Sequence, residues 1–218
     1  MLKSSTTCSR LWPVEQNVRV DDTAPEEGHM EGNEQLAVII PMLKKVGAGI
    51  GADQFDGPTP CASFTVAGVL EHMTGLASAY APAFRGEPPP SHGTEAPVNN
   101  DDLSNRFQVA MDALGGAVQT PGALERTIDT PFGPMPGSTF ARVVAFDGLI
   151  HGWDLATSTQ QQWDPADDMV AEIETFARQA ISPEMRDGDT FAQATEPPVD
   201  ATPLLRLVAF SGRTIQTP

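Results

Sequence analysis

Three polar residues occupy positions where the helical pattern of the chain expects apolar ones. Asp147 and His151 are four positions apart on the inward stripe of one predicted helix, so their side chains share a face. His72 shares the apolar face of an earlier predicted helix with Val69 and Leu76. Two histidines and one carboxylate form an N2O donor set, and three protein ligands leave one position for water or substrate, as in catalytic zinc sites. The pattern predicts a metal site at His72, Asp147 and His151.

A structural interpretation of the same residues stays open. His151 could hydrogen-bond Asp147 within its own helix, and His72 could be a satisfied core histidine. The sequence contains neither the paired Glu-x-x-His helices of di-iron bundles nor an HExxH motif.

Several other residues near these positions could contribute. Asp154 is predicted to accept a hydrogen bond that orients His151, with a role as fourth ligand as the alternative. Trp153 is expected to pack. Cys61 is interpreted as a small buried hydrophobe and not a nucleophile, because no basic residue is near it in sequence.

The arginines and the remaining histidines give weaker signals. Arg142, Arg206 and Arg213 could meet an anionic substrate, with surface salt bridges as the alternative interpretation. His29 and His92 lie in segments without helical period and are expected to be solvated.

Periodicity and capping residues predict six helices. The first runs from 33 to 50 with Asn33 as its cap and Pro41 inside it, and Thr65 caps the second. The others begin at Asn100 or Asp101, near Ser138, at Asp164-Pro165 and at Thr202, the last ending at Gly212; residues 121–137 are irregular or a short hairpin. The prediction is an all-α fold, a four-helix bundle with additional C-terminal helices.

The chain divides into three expected parts. Residues 1–31 lack any regular period and are expected to be a disordered extension, with Met30 near the true start. Residues 32–213 form the helical domain, and 214–218 a tail.

Composition excludes some classes of protein. The chain has 29 Asp and Glu residues but only 13 Lys and Arg residues, and the resulting net charge of −16 excludes nucleic-acid binding. The longest apolar stretch, Leu36 to Leu43, is too short to cross a membrane. Two cysteines and no apolar signal segment favour a cytoplasmic location.

A family resemblance rests on four stretches of sequence. They are Asp53-Gln54-Phe55 with Pro58-Thr59-Pro60-Cys61, Phe64-Thr65-Val66 with Leu70-Glu71-His72, Asp147 to Ala156, and Asp200 to Arg206 with Gly212-Arg213. Over about residues 33–213 the chain resembles a largely actinobacterial family of metal-binding proteins in the DinB/YfiT-like superfamily. That family is close to the N-terminal domain of mycothiol-dependent maleylpyruvate isomerase.

The resemblance implies a four-helix bundle that holds one divalent metal through His72, Asp147 and His151. Zinc is favoured, with nickel or iron as alternatives. The isomerase has Glu where this chain has the shorter Asp147. The isomerase's second domain, which supplies a catalytic arginine, is expected to be absent, so isomerisation of maleylpyruvate is not carried over.

Three functions remain open at this point. The favoured one is a thiol transferase or isomerase whose metal activates a low-molecular-weight thiol such as mycothiol toward an electrophilic substrate. The second is a non-enzymatic protein that binds a metal or a small ligand. The third is a non-haem iron(II) oxygenase, which uses the same donor set. A homodimer is compatible with all three.

Overall fold

The computed structural model describes residues 29–88, 100–130, 133–186 and 191–215. Its elements in chain order are α1 Gly32–Ala48, α2 Val66–Arg85, α3 Asn100–Val118, β1 Thr127–Thr130, β2 Gly133–Pro136, α4 Gly137–Thr159, α5 Asp167–Ala180, a 3-10 turn Pro183–Met185 and α6 Pro203–Phe210. The predicted all-α class is confirmed. Residues 1–28 of the expected extension, and His92, lie outside the described residues.

The first four helices form the bundle. α1 packs against α3 and α4, α2 packs against the same two helices, and α5 and α6 pack together at one side, with α5 also contacting α4. The largest fully buried side chains include Leu36, Ile39, Leu43, Leu70, Phe84, Phe107, Met111 and Leu149. They recur at three- and four-residue steps, which is why these segments fold as amphipathic helices. Among the described helices, none combines the length and apolarity needed to cross a bilayer.

Local signals set where the bundle helices begin. The hydroxyl of Thr65 accepts a hydrogen bond of 3.1 Å from the backbone N–H of Gly68, so the predicted cap of α2 is confirmed. α1 begins one residue before the predicted start, with Glu31 as its N-cap. The Glu34 carboxylate accepts from the Glu31 backbone N–H at 2.8 Å, so the predicted Asn33 cap is wrong.

The connections around α4 agree in part with prediction. β1 and β2 pair in antiparallel register, which confirms the short hairpin. α5 begins at Asp167, and the prediction that it opens at Asp164-Pro165 is wrong. The ring of Trp163 fills the space over Gly152 of α4, and Ala166 is still extended, with φ −62° and ψ 133°. Ala166 is the N-cap, and helical geometry begins at the next residue, Asp167.

Candidate metal centre

α4 presents two of the three predicted ligands on one face. Nε2 of His151 lies 3.6 Å from Oδ1 of Asp147, one turn earlier. The neighbouring position Gly148 faces α1, where an added Cβ would come within 3.3 Å of Ile39 and Leu43. This glycine lets α4 lie close to α1, and the Asp147 side chain meets His72 of α2.

α2 supplies the third predicted ligand. His72 lies two turns beyond the Thr65 cap, and its Nε2 is 3.4 Å from Oδ1 of Asp147. The rings of His72 and His151 meet edge to face, with their centroids 5.0 Å apart. The structure therefore brings together His72, Asp147 and His151, although His72 and Asp147 are 75 residues apart in the sequence.

The three side chains fit a small divalent ion. One ligand atom from each lies within 4.8 Å of the others. Bonds of about 2.1 Å in tetrahedral geometry place neighbouring ligand atoms about 3.4 Å apart. The separations of 3.4 Å and 3.6 Å from Asp147 to the two histidines are close to that spacing. This group could hold a metal through three ligands and leave further positions open.

A second layer of polar residues holds His151. Nδ1 of His151 is 3.0 Å from Oδ2 of Asp154, whose side chain is 0% exposed. Arg213 donates to the same carboxylate, from Nη2 to Oδ2 at 2.8 Å and from Nε to Oδ1 at 3.3 Å. An ionised carboxylate only accepts, so Nδ1 of His151 is the donor to Asp154, and Nε2 is the ring nitrogen on the side of Asp147. The prediction that Asp154 orients His151 is confirmed.

The segment after α6 positions Arg213. The chain turns at Gly212, whose φ of +93° favours glycine. The Thr195 hydroxyl donates to the Arg213 carbonyl at 2.6 Å, and the Arg213 backbone N–H donates to the Val208 carbonyl at 3.3 Å. These bonds fix the backbone from which the guanidinium reaches the bundle.

The surface salt-bridge interpretation is wrong for Arg213, whose side chain is only 12% exposed. Sequence reasoning could not find its partner, because 59 residues separate it from Asp154 and the C-terminal turn carries no periodic signal. One signal was available: a carboxylate on the buried side of a helix requires a cation.

Electrostatics keep both carboxylates of the centre ionised. Burial acts to raise the pKa of Asp147, but the neighbouring His151, His72 and Arg213 outweigh it and lower the value to about 2. For Asp154, burial is again outweighed, by the hydrogen bond from His151 and the charge of Arg213, so its pKa is lowered. A carboxylate ligand is thus available for metal at neutral pH.

The pKa of His72 is shifted the other way. Burial acts to lower it, but the charge of Asp147 and the hydrogen bond to it prevail, so the pKa of His72 is raised above its ordinary value. A proton on His72 therefore competes with a metal for Nε2.

Phe64 and Cys61 extend the centre. The Phe64 ring lies 5.3 Å from the His72 ring and 5.9 Å from the His151 ring, so it covers both imidazoles. Cys61 is half-buried just before it, with a free thiol. Burial raises the pKa of this thiol, and the nearby charge of Arg213 partly opposes that effect. No basic residue is near Cys61 in the sequence, but Arg213 lies near it in the folded chain.

The interior side of the centre is closed. A cavity of about 10 Å³ lies beside Asp147, lined by apolar residues such as Met73, Leu76 and Val144. That volume holds about one water.

The other candidate residues from the sequence contact residues other than the three predicted metal ligands. Trp153 packs against the core, as predicted. Arg142 stacks over the ring of Phe176, with 4.4 Å from its guanidinium carbon to the ring centroid. Nε of Arg206 is 3.4 Å from Glu174, and Nδ1 of His29 is 3.6 Å from Glu172.

Comparison with known proteins places the chain in a family. Residues 41–156, more than half of the chain, match the mycothiol maleylpyruvate isomerase N-terminal domain. Uncharacterized protein MT0763 and Uncharacterized protein Rv0738, from two strains of Mycobacterium tuberculosis, CDC 1551 / Oshkosh and H37Rv, are each 30% identical over 193 residues, covering 88% of this chain and 99% of theirs. No solved structure matches. The matched segment contains His72, Asp147, His151 and Asp154, and the chain belongs to the family of mycothiol maleylpyruvate isomerase N-terminal domains.

Proposed function

We propose that the protein binds one divalent metal ion through His72, Asp147 and His151. The ion activates a low-molecular-weight thiol of the mycothiol type, and the reaction is either transfer of this thiol to an electrophile or a thiol-dependent isomerisation. Zinc is the favoured metal, with nickel and iron as alternatives. The cosubstrate is the thiol, and the second substrate is an electrophile.

The observation that carries the proposal is the convergence of three ligand atoms on one point. Oδ1 of Asp147 lies 3.4 Å from Nε2 of His72 and 3.6 Å from Nε2 of His151, although the residues come from two helices. A purely structural cluster of this kind leaves unexplained why His151 has its other nitrogen fixed by a buried carboxylate, an arrangement typical of metal-bound histidines. The family match supports a thiol as the ligand class.

Charge balance favours a thiolate at this centre. Two neutral imidazoles and one carboxylate leave a bound divalent ion with net positive charge, which lowers the pKa of a coordinated thiol. Phe64 packs on the two imidazoles, and the cavity beside Asp147 has room for about one water, so a thiol would bind on the side of the three ligand atoms that faces away from this cavity.

A conjugation assay tests the catalytic part. Zinc-loaded protein is mixed with mycothiol and the electrophile 1-chloro-2,4-dinitrobenzene. The thiol sulfur displaces chloride from the ring, the thiol proton passes to solvent, and formation of the thioether is followed against the uncatalysed rate. We expect turnover in the wild type, none in His151→Ala, and wild-type turnover in His29→Ala, a histidine paired with Glu172 away from the centre. Equal turnover in His151→Ala contradicts the proposal.

The same preparations separate the two other functions. A metal that raises the melting temperature without turnover of any thiol indicates a non-enzymatic metal-binding protein. Oxygen consumption that depends on added iron(II) indicates an oxygenase.

A further inference from the structure

The C-terminal segment brings a charged residue to the back of the candidate metal centre. Arg213 lies outside the family match, which ends at residue 156. Its guanidinium nevertheless contacts Asp154, the carboxylate that holds His151. A continuous set of contacts thus runs from Arg213 through Asp154 to His151.

The two contacts of Arg213 define the orientation of the carboxylate. Nη2 binds Oδ2 at 2.8 Å and Nε binds Oδ1 at 3.3 Å, so both oxygens are held from one side. Such paired contacts fix the plane of a carboxylate as well as its position. Oδ2 is then directed at Nδ1 of His151, 3.0 Å away.

From this geometry we infer that Arg213 is a positioning residue of the metal centre, acting through Asp154 to fix the tautomer and ring orientation of His151. The inference rests on the proposed metal-binding function. It concerns residues of this chain that are in contact whether or not a metal is bound.

A single positive charge does not suffice for this role. Asp154 is 0% exposed, and a buried carboxylate without a paired cation is unstable in the fold. Lysine could supply the charge but not the planar pair of donors that fixes both oxygens. The arginine side chain is itself held, because Nη1 donates to the Ser211 carbonyl at 3.3 Å.

Arg186 provides a matched control for a merely structural role. It also ties the C-terminal segment down, donating to the carbonyls of Ala192 and Phe210 at 2.8 Å and 2.9 Å and stacking on the Phe210 ring. Among the described residues, it has no contact with His72, Asp147, His151 or Asp154. Loosening of the segment alone would therefore affect Arg186→Gln and Arg213→Gln alike.

The first experiment uses metal-free protein. Nitrogen-15 NMR of the histidine side chains reports which ring nitrogen carries the proton. We expect His151 to be protonated at Nδ1 in the wild type and in Arg186→Gln. In Arg213→Gln and Arg213→Lys we expect a mixture of tautomers. Retention of the Nδ1–H tautomer in both Arg213 variants overturns the inference.

The second experiment measures zinc affinity by competition with a chromogenic chelator. Loss of a partner of this kind lowers metal affinity about 10- to 100-fold, with Arg213→Lys at the lower end. Arg186→Gln should stay within about twofold of the wild type, since it leaves those partners in place. Equal losses in Arg213→Gln and Arg186→Gln overturn the inference.

Two further results have defined meanings. If Arg213→Gln does not fold, Arg213→Lys alone decides both measurements. If the wild type binds no zinc, nickel or iron, the proposed function fails, and the tautomer comparison still decides whether Arg213 positions His151.

Discussion

The two histidines of the candidate centre are held in different ways. His151 is 7% exposed, and its Nδ1 donates to Asp154, which Arg213 holds in turn. His72 is 31% exposed, and within the described part of the chain its Nδ1 has no hydrogen-bond partner. His151 is held by a buried hydrogen bond, whereas the only polar contact of His72 among the described residues is with Asp147, beside ring contacts with His151 and Phe64.

This difference indicates a division of roles. On α4, the ring of His151 is oriented by Asp154 and Arg213 before any metal binds. On α2, His72 has more freedom, because its rotation breaks one polar contact, with Asp147, and otherwise changes only ring packing against His151 and Phe64. We expect His72 to be the ligand that completes metal binding and that makes this binding depend on pH.

The largest expected effect is on the fixed side. Asp154→Ala removes the partner of Arg213 and leaves a buried cation, which destabilises the metal-free protein by about 3–5 kcal/mol. Denaturant unfolding measures the change. Asp112→Ala, which removes the partner of Lys44 from a pair in which Asp112 is 66% exposed, should cost under about 1 kcal/mol. Equal costs for the two substitutions would show that Asp154 is not held as described.

Replacing each histidine in turn compares the two sides directly. In the metal-free protein, His151→Ala removes a buried ring and a charge-assisted hydrogen bond, and we expect a loss of about 2–3 kcal/mol. His72→Ala removes a partly exposed ring and should cost under about 1 kcal/mol. The same unfolding assay decides between them, and a greater loss for His72→Ala would reverse the comparison.

Acid should weaken the shared carboxylate. The pKa of Asp147 is lowered from 3.8 to about 2. Its ionised form therefore stabilises the fold fully when the pH is above the ordinary pKa, and that contribution is lost as the pH falls toward 2. The shift corresponds to roughly 2 kcal/mol. The difference in unfolding free energy between wild type and Asp147→Asn should shrink between about pH 4 and about pH 2. A constant difference across that interval would contradict the shift.

The smallest effect is the response of metal binding to pH. Because the pKa of His72 is raised, a proton must leave Nε2 before metal binds there. Zinc affinity should rise with pH, by about tenfold per unit below the pKa of His72, and level off above it. Chelator competition at several pH values measures this, with His29→Ala retaining the slope. Affinity that is independent of pH would show that His72 is not a ligand.

Sequence patterns were sufficient for the elements whose signal is local. The i, i+3 and i+4 spacing located the bundle helices, and the four-residue step from Asp147 to His151 located half of the centre. His72 was found for the same reason, as a polar residue on an apolar helical face.

Contacts between distant segments could not be predicted in this way. The pairing of Asp154 with Arg213 and the proximity of Cys61 to Arg213 join parts of the chain that share no periodicity. The start of α5 was missed because the local Asp164-Pro165 pattern matches a helix start, whereas the N-cap in the fold is Ala166, which follows the packing of Trp163 on Gly152. A capping pattern reports local preference only.

Elemental analysis and isothermal titration with zinc test the proposal that His72, Asp147 and His151 form one metal site. We expect one ion per chain in the purified wild type and, in His151→Ala, a loss of zinc affinity greater than the roughly 100-fold expected for any outer partner. A wild-type protein with no affinity for zinc, nickel or iron, or a His151→Ala variant that binds as tightly, would contradict it.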